Sequence, residues 1–198
     1  YVTLYVGSRQ REVVLRLLKL RGDEDPNQVA RWLARARNLV RLQHPNIVPV
    51  LEADLQGAQP YLVMGHEPGQ TLAQLLAARG ALPAPEAVAL ACSLLEGLAA
   101  AHAAGMLHRD LRASNVQVDT KGQAQLMDFA LPSLQAPAGA PENASFAAGA
   151  AGHVSPETAQ GQPATAASDL FGIGLLLAEM LCGKPLLDPQ DPEQARYR

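Results

Sequence analysis

His108-Arg109-Asp110-Leu111-Arg112-Ala113-Ser114-Asn115 gathers an imidazole, two guanidiniums, a carboxylate and an amide into one short stretch. A carboxylate can accept a proton, and carboxylate and amide oxygens are hard donors suited to Mg²⁺. Alone the stretch says little, because Asp and Asn in a loop are ordinary turn formers. It is followed, in order, by Leu126-Met127-Asp128-Phe129-Ala130, Ser155-Pro156-Glu157 and Ser168-Asp169-Leu170-Phe171. A lone Asp-Phe would carry no weight. Four such landmarks in a fixed order carry a great deal.

The elements that must hold them are legible from hydrophobic period and end signals. Val2, Leu4 and Val6 alternate and Val13–Leu18 is rich in Val and Leu, which predicts two strands joined around Gly7-Ser8. Asp25 as N-cap, Pro26 at the first helical position and Gln28 predict a helix over Pro26–Leu42, ended by His44-Pro45-Asn46. Trp32 on that helix reads as core or as the anchor of a docking partner, and Arg31, Arg35, Arg37 and Arg41 as a solvated face or a site for an acidic partner. Ile47–Leu51 and Tyr61–Met64 read as two further strands. Beyond Gly65-His66-Glu67-Pro68-Gly69 the pattern turns helical: Thr71–Arg79, then Pro85–Ala104 with Val88, Ala91, Leu94, Leu95, Leu98 and Ala101 on one stripe. His102 reads as a surface or capping residue at its end. Val116–Val118 and Ala124–Met127 form a short hairpin, Leu131–Gly152 a long loop, and Ser168-Asp169 opens a helix that Gly183 closes.

The order of these motifs resembles the eukaryotic-like protein kinase family, most closely its bacterial Ser/Thr branch, over essentially the whole chain. The resemblance implies an α+β, bilobal fold incomplete at both ends. It would comprise a small β-rich N-lobe with one helix over 1–64, a hinge over 65–70 and a larger helical C-lobe over 71–198. ATP and Mg²⁺ would bind between the lobes. In the family pattern Asp110 orients the substrate hydroxyl and accepts its proton, while Asn115 and Asp128 hold Mg²⁺. Val14, Arg16, Met64 and His66 fall on the nucleotide side, with Met64 a core-lining residue before the hinge. His108 belongs to the catalytic-loop motif, and Arg109 would receive a phosphorylated hydroxyl such as Ser133 or Ser145. Asp169 would accept backbone N–H bonds from the catalytic loop, and Glu157 would pair with an arginine near the domain's end.

Departures from that pattern are as informative as the matches. Arg16 stands where the family has the lysine that contacts the α/β-phosphates, and Lys19, three residues along a strand, points to the other face. Counting back from His44, Arg35 takes the place of the partner glutamate. An opposite-charge pair near 4 Å gains on the order of 4 kcal/mol at an effective dielectric of about 20, and a like pair loses as much. The expectation is a helix swung outward unless an anion lies between the two arginines. Ala130 replaces the glycine after Asp-Phe, Arg112 a lysine near the γ-phosphate, and Ala150 a threonine that braces the catalytic Asp. In the resemblance Arg11–Leu18 corresponds to the family's third strand, where Val14 would tighten the adenine pocket; Gly7 is the one glycine before it in the given sequence, and the family's first strand could precede Tyr1.

Composition narrows the function classes. The 198 residues are 48% hydrophobic and 18% charged with a formal charge of −3, which argues for a folded domain and against a general nucleic-acid binder. Phe171–Cys182 is too short to span a membrane, and no leader is read at the start. Cys92 and Cys182 fall on helices that would be neighbours in such a fold and could approach each other, but they suit free, buried thiols in a reducing, cytoplasmic setting better. The sequence therefore predicts a pseudokinase acting through a protein partner, with a homodimer allowed and ATP and Mg²⁺ binding left open. The alternative is an active Ser/Thr protein kinase. A small-molecule kinase of the aminoglycoside-phosphotransferase type fits less well, because Arg109, Ser155-Pro156-Glu157 and the Asp169 helix favour the protein-kinase branch.

Overall fold

The computed structural model describes residues 2–8, 11–18, 26–66, 68–129 and 154–186. Lys19, Asp25, Ala130, Ser133, Ser145 and Ala150 lie outside these residues. The described chain forms two compact units, one of residues 2–44 and 48–66 and one of 45–47, 68–129 and 154–186.

In the first unit β1 (Val2–Ser8), β2 (Arg11–Leu17), β3 (Val50–Gln56) and β4 (Gln59–Gly65) form an antiparallel sheet of order β1-β2-β4-β3. Gly7 and Ser8 therefore sit inside β1 instead of in the turn. Val14 pairs with Met64 and Arg16 with Leu62, while Val50 and Ala53 pair with the same two β4 residues. Because side chains alternate, one face carries Val14, Arg16, Leu62, Met64, Val50 and Ala53 together. Leu62, Met64, Val50 and Ala53 are buried. Helix α1 (Pro26–Arg41) packs mainly on β3 through fully buried Trp32 and Ala36 and through buried Leu39. Complete burial of Trp32 corrects the docking-anchor alternative: the ring is core.

The expected strand over Ile47–Leu51 begins late, at Val50. Pro45 and Pro49 bracket the stretch and supply no ladder donors. Ile47 instead makes an isolated parallel bridge to Leu126. A register shift between Val50 and Glu52 leaves Leu51 exposed.

The second unit holds a small sheet, β5 (Gly69–Thr71), β6 (Val116–Asp119) and β7 (Ala124–Leu126), in that order. Its helices are α2 (Leu72–Arg79), α3 (Ala84–Ala103), the short α4 (Pro156–Ala159) and α5 (Ala166–Cys182). Thr71 and Gln74 form a capping box on α2, satisfying orphan N–H groups at that helix start, and at the start of α5 the Ser168 hydroxyl accepts the Thr165 N–H. Helix α3 packs against α5 and β7. Its buried stripe is Ala87, Leu90, Ala91, Leu94, Leu98 and Ala101, whereas Val88 is 49% and Leu95 38% exposed, a rotation of the predicted face. By length and composition α3 is the one described helix that could cross a membrane. Here it is a core helix, with Leu94 and Leu98 almost wholly buried. Cys92 and Cys182 are free but exposed, which corrects the expectation of buried thiols.

Candidate functional site

Between α3 and β6 the chain has no regular structure until a single 3-10 turn at Ala113–Asn115, and side chains fix it instead. Asp169, in the first turn of α5, is buried and reaches back to this loop. Its Oδ2 accepts the His108 N–H at 2.9 Å and its Oδ1 the Arg109 N–H at 2.8 Å. His102 Nε2 lies 2.8 Å from the same Oδ2, so the imidazole donates there. One helical turn beyond Asp169, Gly172 lets Leu111 lie against α5: a Cβ there would fall 2.9 Å from the Leu111 Cβ. The α5 start thus holds the loop by two backbone bonds and one close contact.

His108 is fully buried and links the loop to the residues after β7. Its Nε2 lies 3.0 Å from the Met127 carbonyl, and its Nδ1 accepts the Asp110 N–H at 3.3 Å. A carbonyl only accepts and an amide only donates, so the proton sits on Nε2 and the ring is neutral. Burial holds the His108 pKa below the ordinary imidazole value, and the carboxylates of Asp169 and Asp110 offset only part of that. The Phe129 ring stacks on it, tilted by 36° with centroids 4.5 Å apart.

Arg109 (φ 66°) and Asp128 (φ 61°) are the described non-glycine residues with left-handed backbone. Such a conformation costs on the order of 1–3 kcal/mol and persists where neighbours over-determine it. The Arg109 N–H is pinned by Asp169, and Asp128 is flanked by Met127 and Phe129, both engaged by His108.

Asn115 closes the loop on itself. Its Nδ2 donates to the Asp110 carbonyl at 2.8 Å and to Asp110 Oδ2 at 2.7 Å. Its N–H bonds the Arg112 carbonyl, and its own carbonyl accepts the Met127 N–H. Asp110 Oδ1 is buried and has no hydrogen-bond partner among the described residues. Asp110, Asn115 and Asp128 are therefore brought to one short span of backbone, with Asp110 Oδ1 left as an acceptor. Among the described residues no group of three His, Cys, Asp or Glu could hold a metal by itself. Mg²⁺ needs no such cage, since one or two carboxylates and phosphate oxygens suffice.

Three comparisons bear on this arrangement. A profile of the protein kinase domain matches residues 2–198. The chain belongs to the protein kinase domain family. Within it the kinase domain is of the bacterial Ser/Thr type: it is 33% identical over 193 residues to the probable serine/threonine-protein kinase PknB of Corynebacterium glutamicum. That match takes in 95% of this chain and 30% of the relative. To the serine/threonine-protein kinase PkaA of Streptomyces coelicolor it is 35% identical over 182 residues, 90% of this chain and 33% of that one. The chain thus spans about a third of the length of these relatives. The crystal structure of the PknI kinase domain of Mycobacterium tuberculosis superposes with a TM-score of 0.77 at 22% identity. It covers 98% of this chain and 77% of that domain, a likeness of fold.

In the first unit of the kinase domain, Val14 and Arg16 project from β2 on the same face as buried Leu62 and Met64. Arg35, half-buried, shares a helical flank with Trp32 and Leu39, unlike Arg31, Arg37 and Arg41, which are exposed. Arg16 and Arg35 both have interaction partners. The His66 imidazole lies 3.1 Å from the Glu12 carboxylate. Glu157, expected to await an arginine, accepts instead from the Ser168 hydroxyl, which holds its carboxyl below the usual range. Ser168 also accepts the Thr165 N–H at 2.9 Å, so one hydroxyl ties α4 to the start of α5.

Sequence reasoning missed His102 and Ser168. His102 continues the buried Leu94–Leu98 stripe at four-residue spacing, a signal that it faces inward. For Ser168 no neighbouring residue type points to the Glu157 contact.

Proposed function

We propose that this kinase domain is a pseudokinase module that regulates a protein partner, still binding ATP with Mg²⁺ but transferring phosphate poorly. The observation that carries the reading is the register of Arg16. It lies on the inward sheet face beside Val14, where the family pattern has a lysine, and Arg35 lies on the inward flank of α1, where the pattern has its glutamate. Two guanidiniums cannot form the ion pair that fixes that helix for transfer. The division into an N-lobe over 1–64, a hinge over 65–70 and a C-lobe over 71–198 belongs to the same proposal.

The second unit supports nucleotide binding. Asn115 and Asp128 offer hard oxygens for Mg²⁺, and the Asp110 Oδ1 orphan suits a hydroxyl or a metal-bound water. Bound there, the ion would spread the charge that develops on a phosphoryl group. Asn115 holds the Asp110 carboxylate in place through Oδ2, leaving Oδ1 to accept a proton. That intact hydrogen-bonded loop favours the second reading, an active Ser/Thr protein kinase.

Radiolabelled ATP decides between them. The unaltered chain is expected to show little autophosphorylation, while ATP with Mg²⁺ raises its melting temperature. Arg16→Lys with Arg35→Glu should create or strongly raise transfer. Robust transfer by the unaltered chain, abolished by Asp110→Asn, would establish the active enzyme instead.

A further inference from the structure

One helix face remains unused by any of these roles. Helix α1 carries Arg31, Arg35, Arg37 and Arg41 and no acidic residue, in a chain whose net charge is −3. At 100° per residue, Arg31, Asn38 and Arg41 fall on one stripe, opposite buried Trp32 and Ala36. Arg37, at its edge, pairs with Asp54 at 3.1 Å. Arg31 and Arg41 are exposed and have no ion pair or hydrogen bond among the described residues. Ten residues apart, they stand about 15 Å from one another along the axis.

We propose that this stripe docks an acidic segment of a partner protein, with carboxylates spaced to meet Arg31 and Arg41. The chemistry selects among polyanions. Both cations are arginines, whose planar fork matches a carboxylate by two parallel bonds. Nucleic acid is disfavoured because the stripe offers no aromatic side chain for base stacking, the helix's tryptophan being fully buried. A membrane surface is disfavoured because the exposed positions Asn27, Ala30, Ala34 and Asn38 supply no large apolar group to insert. The proposal stands independently of whether the domain transfers phosphate.

The test is fluorescence anisotropy of a labelled poly-glutamate peptide against the full chain, with oligothymidine and phosphatidylserine vesicles in parallel. Salt-sensitive binding of the peptide is expected, weakened about tenfold or more by Arg31→Glu with Arg41→Glu. Arg31→Lys with Arg41→Lys keeps the charge and should weaken binding by a smaller factor. Both positions are exposed, so thermal melts should match the parent; if the glutamate pair misfolds, Arg31→Ala with Arg41→Ala serves in its place. No peptide binding, binding indifferent to these substitutions, or tighter binding of oligothymidine or vesicles through the same arginines would each overturn the assignment.

Discussion

Asp169 shows how much one side chain can determine. A single carboxylate accepts from two consecutive backbone amides and from His102, so both oxygens are committed. Asp169→Asn turns one acceptor into a donor facing other donors. In a buried site that leaves groups unsatisfied, at about 1–3 kcal/mol. His102→Ala removes only the half-buried partner and should cost less than Asp169→Asn. Urea unfolding of both variants checks the order, and an equal or larger loss for His102→Ala would contradict it. At this scale the sequence was informative where residue types recur in a recognisable order, as in His108–Asn115. It was silent on Ser168, because a serine three residues into a helix has many uses and nothing in its neighbours announces the Glu157 contact.

Helix α3 illustrates why elements were easier to find than to orient. Its apolar character ran nearly around the helix, so periodicity fixed its existence but mis-set its face by including Val88 and Leu95. What sets the face is a close approach. A Cβ on Gly97 would lie 2.8 Å from the Asn46 carbonyl oxygen and 3.2 Å from Leu126 Cδ1. That oxygen cannot easily yield, since it accepts the Leu126 N–H at 2.8 Å while Asn46 Nδ2 donates to the Ala124 carbonyl at 3.0 Å. Glycine to alanine inside a helix ordinarily stabilises by about 1 kcal/mol. Gly97→Ala should reverse that sign, lowering the unfolding midpoint. Gly174→Ala, on α5 with no atom within 4 Å of the added Cβ, should raise it. Denaturant titrations of the two variants measure the contrast, and a stabilising Gly97→Ala would refute the close-packing account. The late start of β3 has the same origin: the sequence showed the apolar residues Ile47 and Val48, but the bridge of Ile47 to Leu126 depends on a partner far along the chain.

For the molecule as a whole, motif order revealed the kinase fold because those motifs tie distant segments together: Asp169 to His108 and Arg109, His108 to Met127. Local propensity alone carries no such information. The same ties make stability depend on pH in a direction that can be worked out. His108 is held neutral by burial, with its folded pKa below the unfolded value of about 6.5. The unfolded chain therefore binds the proton first, and stability falls as pH drops from about 6.5 toward the folded value. Glu157, held down by the Ser168 hydroxyl, and Glu86, held down by the Arg79 guanidinium at 2.6 and 2.8 Å, act in a lower window. Their contributions are complete above the unfolded carboxyl value and are lost as pH falls through the folded one, so both losses follow that of His108. Unfolding midpoints are thus expected to be flat above about pH 7, to sag first near pH 6, and to fall again below about pH 4.5. His108→Asn should be less stable at neutral pH yet lose the first sag while retaining the second. A parent protein with no loss between about pH 7 and pH 5 would mean that His108 gains its proton without cost. The Met127 and Asp110 bonds would then not require the neutral ring that their geometry demands.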